Sequence, residues 1–247
     1  MYDAYIFDFY GTLVDIRTNE TKPYLWKKMS EIYASFGAVY TPGELKKAFR
    51  QLEAEEIKRK QEENGLDLAE PDLRIVFQKL FHRKNVDCDE GRAQFMGITF
   101  RALSRQKLQV YEGVKETLGE LRKRGKKLYL LSNAQTDFTR PELQMMGLTA
   151  YFDGIFISSE EGVKKPSPEF FKKLLARYQL LPENCLMTGN DETSDIAGAR
   201  SLGMDCLLIQ TETSPKLTKK SQATYAVLDG DWKKVSEILL GGRDNRN

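Results

Sequence analysis

Histidine is all but missing: His82 is the single one in 247 residues. No second His or nearby Cys completes a metal site around it, and its helical-looking context, Leu80-Phe-His-Arg83, reads as packing or surface. Ser-His-Asp and Cys-His catalysis therefore have little support. Cysteine is scarce as well. Cys88, Cys185 and Cys206 are odd in number and far apart, the usage of reduced thiols in a cytoplasmic protein. No apolar run nears the roughly 20 residues of a membrane-spanning helix, and Tyr2 to Phe9 is too short and too acidic for a secretory signal. Neither sign of charge is in excess. Lys and Arg number 38 against 36 Asp and Glu, a net of +2 that gives no electrostatic reason to expect nucleic acid or a membrane as partner. Nothing specifies an oligomeric state.

What is present is the composition of a globular chain, 40% apolar and 30% charged, long enough for one large domain or a domain with an insertion. The chain is organised around Ala4-Tyr-Ile-Phe-Asp8-Phe-Tyr10-Gly11-Thr12-Leu-Val-Asp15. Tyr5, Ile6 and Phe7 make a short buried strand, and Asp8 stands where it ends. Gly11 and Thr12 follow at once, which suits a tight turn whose backbone N–H groups point at a small anion. Open α/β sheets bind ligands at this carboxyl edge. Taken alone, Asp8 is more simply a turn cap, so its meaning depends on partners elsewhere.

Residues 20–106 show helical periodicity and almost no strand signal. Tyr24, Trp26, Met29, Ile32, Tyr33 and Phe36 form an apolar stripe that Gly37 ends. Thr41-Pro42-Gly43-Glu44 predicts a capping box, and the helix it opens carries Leu45, Ala48, Phe49 and Leu52 into a charged run. Pro71 opens a third helix through Leu73, Val76, Phe77, Leu80 and Phe81. A fourth carries Phe95, Ile98, Phe100 and Leu103. Such stripes are packing seams before they are cofactor sites. From Val110 onward helix and strand alternate. Helices are expected over 113–124, 141–146, 168–178 and 194–202, and strands over 127–131, 154–158, 185–188, 205–209 and 224–227. Residues 241–247 read as a polar tail. The pattern is α/β, a doubly wound parallel sheet with a helical insertion after its first strand.

Four groups then fall at the ends of buried strands: Asp8 with Gly11 and Thr12, Ser132 with Asn133, Lys165 before Pro166, and Asp191 with Asp195. Together they can perform a nucleophilic displacement. Asp8 would attack and form a covalent ester, Ser132 would hold an oxygen of the transferring group, Lys165 would compensate negative charge, and Asp191 would complete a cation site. Each is weak evidence alone; four in this order are strong.

The chain at this point resembles the haloacid dehalogenase superfamily of hydrolases. The residues that carry the resemblance are Asp8-Phe-Tyr-Gly-Thr12, Leu131-Ser132-Asn133, Lys165-Pro166-Ser-Pro168 and Gly189-Asn190-Asp191-x3-Asp195-Ile196. The resemblance implies a Rossmann-like core of residues 1–15 and 108–247 and a helical cap domain over residues 16–107. It also implies Asp8 as nucleophile, with Tyr10 and Thr12 beside it in the catalytic set. Ser132, Asn133 and Lys165 would complete that set, and Gly11 would join Ser132 and Asn133 in binding a small anionic substrate. Mg2+ would be held by Asp8, the Tyr10 backbone carbonyl and Asp191.

One departure matters. Phosphatases resembling this chain carry a second Asp two residues after the nucleophile, as general acid and base, where this chain has Tyr10. A phenol with a pKa near ~10 replaces a carboxylic acid poorly at neutral pH. The Asp-x-Tyr-Gly-Thr form resembles the haloacid dehalogenases proper, whose halide leaves without a proton. Arg50, in the expected cap, is a candidate for a substrate carboxylate, although a solvated helix residue is the simpler reading. Against this, Asp8, Asp191 and Asp195 in one cleft exceed what Lys165 neutralises, and a hard cation would resolve the excess. Asn190 stands where an Asp is common, which leaves Asp191 as the ligand candidate and Asp195 as a group orienting Ser132 or Lys165. Three readings remain open. They are a Mg2+-dependent phosphohydrolase on a small phosphorylated metabolite, which leads; a metal-free 2-haloacid dehalogenase; and a catalytically degenerate binding protein.

Overall fold

The computed structural model describes residues 2–65 and 68–241. Gly241 closes the last helix, and the rest of the expected polar tail lies outside the described residues. In chain order the elements open with β1 (Ala4–Phe7), β2 (Val14–Thr18), α1 (Pro23–Ser35), α2 (Pro42–Asn64), α3 (Leu73–His82), α4 (Glu90–Ser104) and β3 (Arg105–Val110). They continue with α5 (Val114–Lys123), β4 (Lys127–Ser132), α6 (Thr136–Met145), β5 (Gly154–Ile157), α7 (Ser158–Glu161) and α8 (Pro168–Arg177). The last are β6 (Cys185–Gly189), α9 (Ala197–Arg200), β7 (Asp205–Ile209), β8 (Tyr225–Val227) and α10 (Trp232–Gly241).

Six strands form one parallel sheet in the order β5-β4-β1-β6-β7-β8. The central strands are near-continuous apolar runs because helices cover both faces. Alternation along β1 assigns the faces: Tyr5 and Phe7 pack with Leu118 of α5 and Leu239 of α10, while Ala4 and Ile6 pack with Phe170 of α8 and Ala199 of α9. Phe171 belongs to this second face, against Gly198, and serves packing.

Between β2 and β3 the four helices α1–α4 build a separate core around Trp26, Tyr33, Phe49, Phe77, Phe81 and Phe100. Thr41 and Glu44 form the expected capping box, with Glu44 N–H to Thr41 Oγ1 at 3.3 Å and Thr41 N–H to Glu44 Oε2 at 2.8 Å. Tyr24, Phe95 and Ile98 face solvent, outside the expected seams. The insertion meets the sheet domain through an antiparallel β2–β3 ribbon that pairs Val14 with Val110 and Ile16 with Leu108. Neither strand was expected. Their apolar alternation covers too few residues to stand out beside the helices.

Other differences have local causes. Asp72 rather than Pro71 opens α3, its carboxylate accepting the Arg74 N–H at 2.9 Å. Helix α6 begins ahead of Pro141 because Ser159 Oγ accepts the Thr136 N–H at 3.0 Å and the following turn packs on the insertion. In place of a helix over 194–202 there is a widened turn, with Ile196 N–H reaching Asp191 O at 3.3 Å, and then the short α9. Among the described residues no helix is long and apolar enough to cross a membrane.

Candidate active site

Parallel register sets the site. Phe7 lies level with Leu130 of β4 and Thr188 of β6. Asp8, Ser132 and Asn190 therefore leave three adjacent strands at one carboxyl edge.

Lys165, from the loop ahead of α8, joins them. Its ammonium stands 2.7 Å from Asp8 Oδ1 and 2.7 Å from Asp195 Oδ1, and donates to the Leu131 carbonyl at 2.7 Å. Burial alone would strip this proton. The Asp195 and Asp8 charges outweigh burial and hold the lysine above its ordinary range. Burial pushes the Asp195 carboxyl up to about 6, against the opposing pull of Lys165. Asp195 Oδ2 also accepts the backbone N–H groups of Asn190 and Asp191, each at 3.0 Å. Of the two partners expected for Asp195, the structure brings it to Lys165.

The other Asp8 oxygen accepts the Thr12 hydroxyl at 3.0 Å, and that hydroxyl also lies 3.3 Å from Asn190 Oδ1. Asn190 Nδ2 donates onward to Ser214 Oγ at 3.2 Å. Gly11 has φ +79°, and a Cβ there would stand 2.3 Å from Asn190 Nδ2, so the approach of these loops requires glycine. The Gly11 N–H donates to the Val14 carbonyl at 2.8 Å and the Thr12 N–H to the Phe9 carbonyl at 3.3 Å. These two amides close the turn, where they were expected to face an anion; Gly11 contributes conformation.

Ser132 is fully buried and its hydroxyl has no partner among the described residues. A buried hydroxyl left without a partner is costly unless something completes it. Asn133 differs: Oδ1 accepts the Lys165 N–H at 2.8 Å and Nδ2 donates to the Lys165 carbonyl at 2.9 Å. Both ends of its side-chain amide hold the Lys165 backbone, so the side chain positions the lysine.

Two further expectations change. Arg50 does not join the cluster, because its guanidinium is paired with Glu53 at 2.8 Å and Glu20 at 3.5 Å. Tyr10 turns its phenol away, donating to Glu142 Oε2 at 2.5 Å and lying 3.2 Å from Thr139 Oγ1. Burial, with the Glu142 charge added, raises its pKa above the usual tyrosine range, which makes the phenol a still weaker acid at neutral pH.

The sequence left Glu142 and Arg101 unmarked. Glu142, on α6, accepts from Arg101 Nε at 2.8 Å, Arg101 Nη2 at 3.2 Å and Arg105 Nη1 at 2.9 Å. Arg101 and Glu142 are 41 residues apart, so no local spacing announces the pair. Arg101 lines a cleft of about 320 Å³ between the insertion and the sheet domain, with Tyr10, Asn133, Gln135 and Phe138.

Asp191 Oδ1 accepts the Thr193 N–H and hydroxyl, both at 2.7 Å. Burial would raise its pKa, but hydrogen bonds from Thr193 and Ser194 outweigh burial and hold it below the ordinary carboxylate range. Among the described residues no three His, Cys, Asp or Glu side chains gather into a metal cage. The donors suit Mg2+ nonetheless, since this ion is held by one or two carboxylates and keeps several waters. Lys165 is shared by the carboxylates of Asp8 and Asp195, one ammonium for two acids, and the structure does not bring the Asp191 carboxylate into that pair as the sequence had suggested.

The chain matches the haloacid dehalogenase-like hydrolases over residues 2–203. It belongs to this family. It is 26% identical to the ribulose-1,5-bisphosphate 5-phosphatase of Halopiger xanaduensis over 186 residues, covering 72% of this chain and 77% of that protein. The fold is similar to a phosphatase of the family from Thermococcus onnurineus (TM-score 0.58, 22% identity, 98% of this chain and 99% of that one). It is also similar to a 2-haloacid dehalogenase from Pseudomonas syringae pv. Tomato DC3000 (TM-score 0.65, 17% identity, 96% and 98%). The chain is therefore a hydrolase of this family, and the choice between phosphoester and carbon–halogen cleavage rests on the site.

Proposed function

We propose that the protein is a Mg2+-dependent phosphohydrolase of small phosphorylated metabolites, with Asp8 as covalent nucleophile and residues 16–107 acting as a cap over the cleft. The observation that carries this reading is the Asp8 carboxylate. It is aimed by Lys165 at 2.7 Å and Thr12 at 3.0 Å, beside a buried Ser132 hydroxyl with no partner among the described residues. An Asp8 oxygen attacks phosphorus, the bond to the leaving oxygen breaks, and an acyl phosphate forms on Asp8. The departing alkoxide takes its proton from water. A second water then attacks phosphorus and returns Asp8 as carboxylate. Ser132 donates to a phosphoryl oxygen, and Lys165 opposes the growing negative charge. Mg2+, held by Asp8, the Tyr10 carbonyl and Asp191, would add neutralisation of the phosphoryl group.

One observation favours a second reading. With the Tyr10 phenol committed to Glu142, the site lacks the acid a poor leaving group needs, and halide leaves without one. The test is direct. Phosphate release from a panel of small phosphomonoesters is measured with and without Mg2+, beside chloride release from 2-chloropropionate with a chelator present. Mg2+-dependent phosphate release that Asp8→Asn abolishes supports the proposal. Chelator-resistant chloride release favours the dehalogenase, and inactivity on both substrates favours a degenerate binding protein.

A further inference from the structure

We propose that Gln135 is a positioning residue. It fastens the insertion to the loop that carries Lys165, so that docking of the insertion sets where the Lys165 ammonium stands against Asp8; the consequence for turnover rests on the phosphohydrolase reading above.

Gln135 lies three residues after Ser132, immediately before α6, and is buried. Its Oε1 accepts the Leu73 N–H at 2.9 Å, and its Nε2 donates to Glu70 Oε1 at 3.0 Å and to the Pro71 carbonyl at 2.8 Å. Both Nε2 hydrogens are thus taken by the segment that opens α3, and neither is left for a substrate. The same segment meets the Lys165 loop through its backbone. The Lys164 N–H donates to the Leu68 carbonyl at 3.2 Å, the Glu70 N–H donates to the Gly162 carbonyl at 3.4 Å, and Ala69 bridges Val163 in antiparallel fashion. Lys164 Nζ also stands 3.5 Å from Glu70 Oε2, on the carboxylate whose other oxygen takes Gln135. Asn133 closes the circuit, since both ends of its amide hold the Lys165 backbone.

These contacts join residues 133–135, 68–73 and 162–165 pairwise into a ring. Two of the segments belong to the sheet domain and one to the insertion. Lys165 lies on the ring, with its ammonium 2.7 Å from Asp8 Oδ1. Outside the ring, Arg74 grips Asp137 of α6 with Nε at 3.0 Å and Nη2 at 2.6 Å. That fork, with the separate core of the insertion, preserves the fold when the ring is cut. Removing the Gln135 amide frees the insertion side of the ring while Asn133 still holds the Lys165 backbone, so the lysine shifts rather than leaves. A misplacement of about 1 Å at a reacting site costs on the order of 10²-fold in rate.

Two variants test this. Gln135→Met keeps the volume and loses all three bonds, whereas Gln135→Glu keeps the acceptor for the Leu73 N–H and sets a carboxylate against Glu70 and the Pro71 carbonyl. Backbone amide exchange is followed by NMR without ligand. The Leu73, Lys164 and Lys165 amides are expected to exchange roughly tenfold faster in Gln135→Met, while those of β1 and α4 keep their wild-type rates. Hydrolysis of p-nitrophenyl phosphate, whose leaving group needs no proton, is measured with Mg2+. There kcat is expected to fall roughly 10- to 100-fold with KM within about threefold of wild type, the pattern of an interaction that matters in the transition state. Gln135→Glu should show the same pattern with a smaller loss. Faster exchange confined to Leu73 would leave Gln135 as a local cap of α3 and overturn the proposal. Equal acceleration in β1, an unchanged kcat, or a raised KM at unchanged kcat would overturn it as well. If the wild type hydrolyses no phosphomonoester, faster exchange at Lys164 and Lys165 supports the tie and removes only the phosphohydrolase reading; unchanged exchange there removes the tie.

Discussion

The Tyr10 phenol donates its hydrogen to Glu142 at 2.5 Å, joining the turn that follows Asp8 to the helix on which the insertion rests. Position 10, where the family resemblance implied an acid/base carboxylate in phosphatases, is thus given to a structural contact. Tyr10 is a strut between the turn after Asp8 and the cleft wall, and under the proposed phosphohydrolase reading the proton for a leaving group would come from solvent.

Tyr10→Phe tests this directly. Loss of one hydrogen bond to a charged acceptor should cost about 1.5–3 kcal/mol of stability, because Glu142 keeps Arg101 and Arg105. Turnover should fall by less than about tenfold, whereas loss of a true proton donor costs on the order of 10²–10⁴. Urea unfolding and steady-state rates on one protein preparation separate the two. A thousandfold loss of rate with stability intact would make Tyr10 a proton donor after all.

Lys165→Met should be severe for both fold and function. The substitution keeps the side-chain volume and leaves Asp8 and Asp195 facing each other without their shared cation. Breaking a buried pair in this way costs about 3–5 kcal/mol, and the loss of charge compensation at the nucleophile costs on the order of 10²–10³ in rate. Chemical denaturation midpoints and phosphate release measure the two effects. A variant as stable as wild type would show that water already screens this cluster.

Most of the architecture was legible in the sequence because it is written in local patterns. The buried runs at Ile6, Leu130, Met187 and Leu208, with glycines and caps between helices, specify a parallel sheet. Asp8 and Ser132 sit at the ends of recognisable buried runs, as read; Lys165 instead arrives from the loop ahead of α8 and Asp195 from the turn after β6, so the expectation that all four groups end strands holds for the first two alone. What was hidden depends on contacts between distant residues. The pairing of Arg101 and Arg105 with Glu142 joins α4 and the start of β3 to α6, and the β2–β3 ribbon pairs residues at opposite ends of the insertion. Asn133 shows the limit differently. Its place after Ser132 was read correctly, but only the fold shows that both ends of its amide are taken by the Lys165 backbone.

Asp195 gives the site a pH dependence with a definite sign. In the unfolded chain an Asp titrates near ~3.9, whereas burial in the folded protein pushes this one up to about 6. Above that pH it is a carboxylate and holds Lys165 at 2.7 Å; below it the proton weakens that hold. The acid limb of kcat/KM should therefore rise through about pH 6. Stability carries the opposite sign. The folded state keeps this proton where the unfolded state has lost it, so its contribution is fully present below about pH 4 and lost as pH rises through about 6. Asp195→Asn should remove the acid limb from the rate profile and flatten the stability profile over the same window. An unchanged limb would assign it to another group.

Removing the cation completes the set. Asp191 is ionised well into the acid range and lies on the loop that follows the central strand β6, so it can share a hard ion with Asp8 without a third carboxylate. Calorimetric titration of metal-stripped protein with Mg2+ should show binding in the wild type and a loss of at least tenfold in affinity for Asp191→Ala. Chelation should abolish phosphate release and leave the fold intact, because the Asp8–Lys165–Asp195 chain is complete without the ion. If Asp191→Ala binds Mg2+ as tightly as wild type, the ligand beside Asp8 lies elsewhere on the edge, with the Asn190 amide oxygen as the next donor to substitute. If the wild type binds none, the excess of carboxylates is held apart by hydrogen bonds alone, and the balance moves to halide displacement, a reaction that needs neither the metal nor a proton.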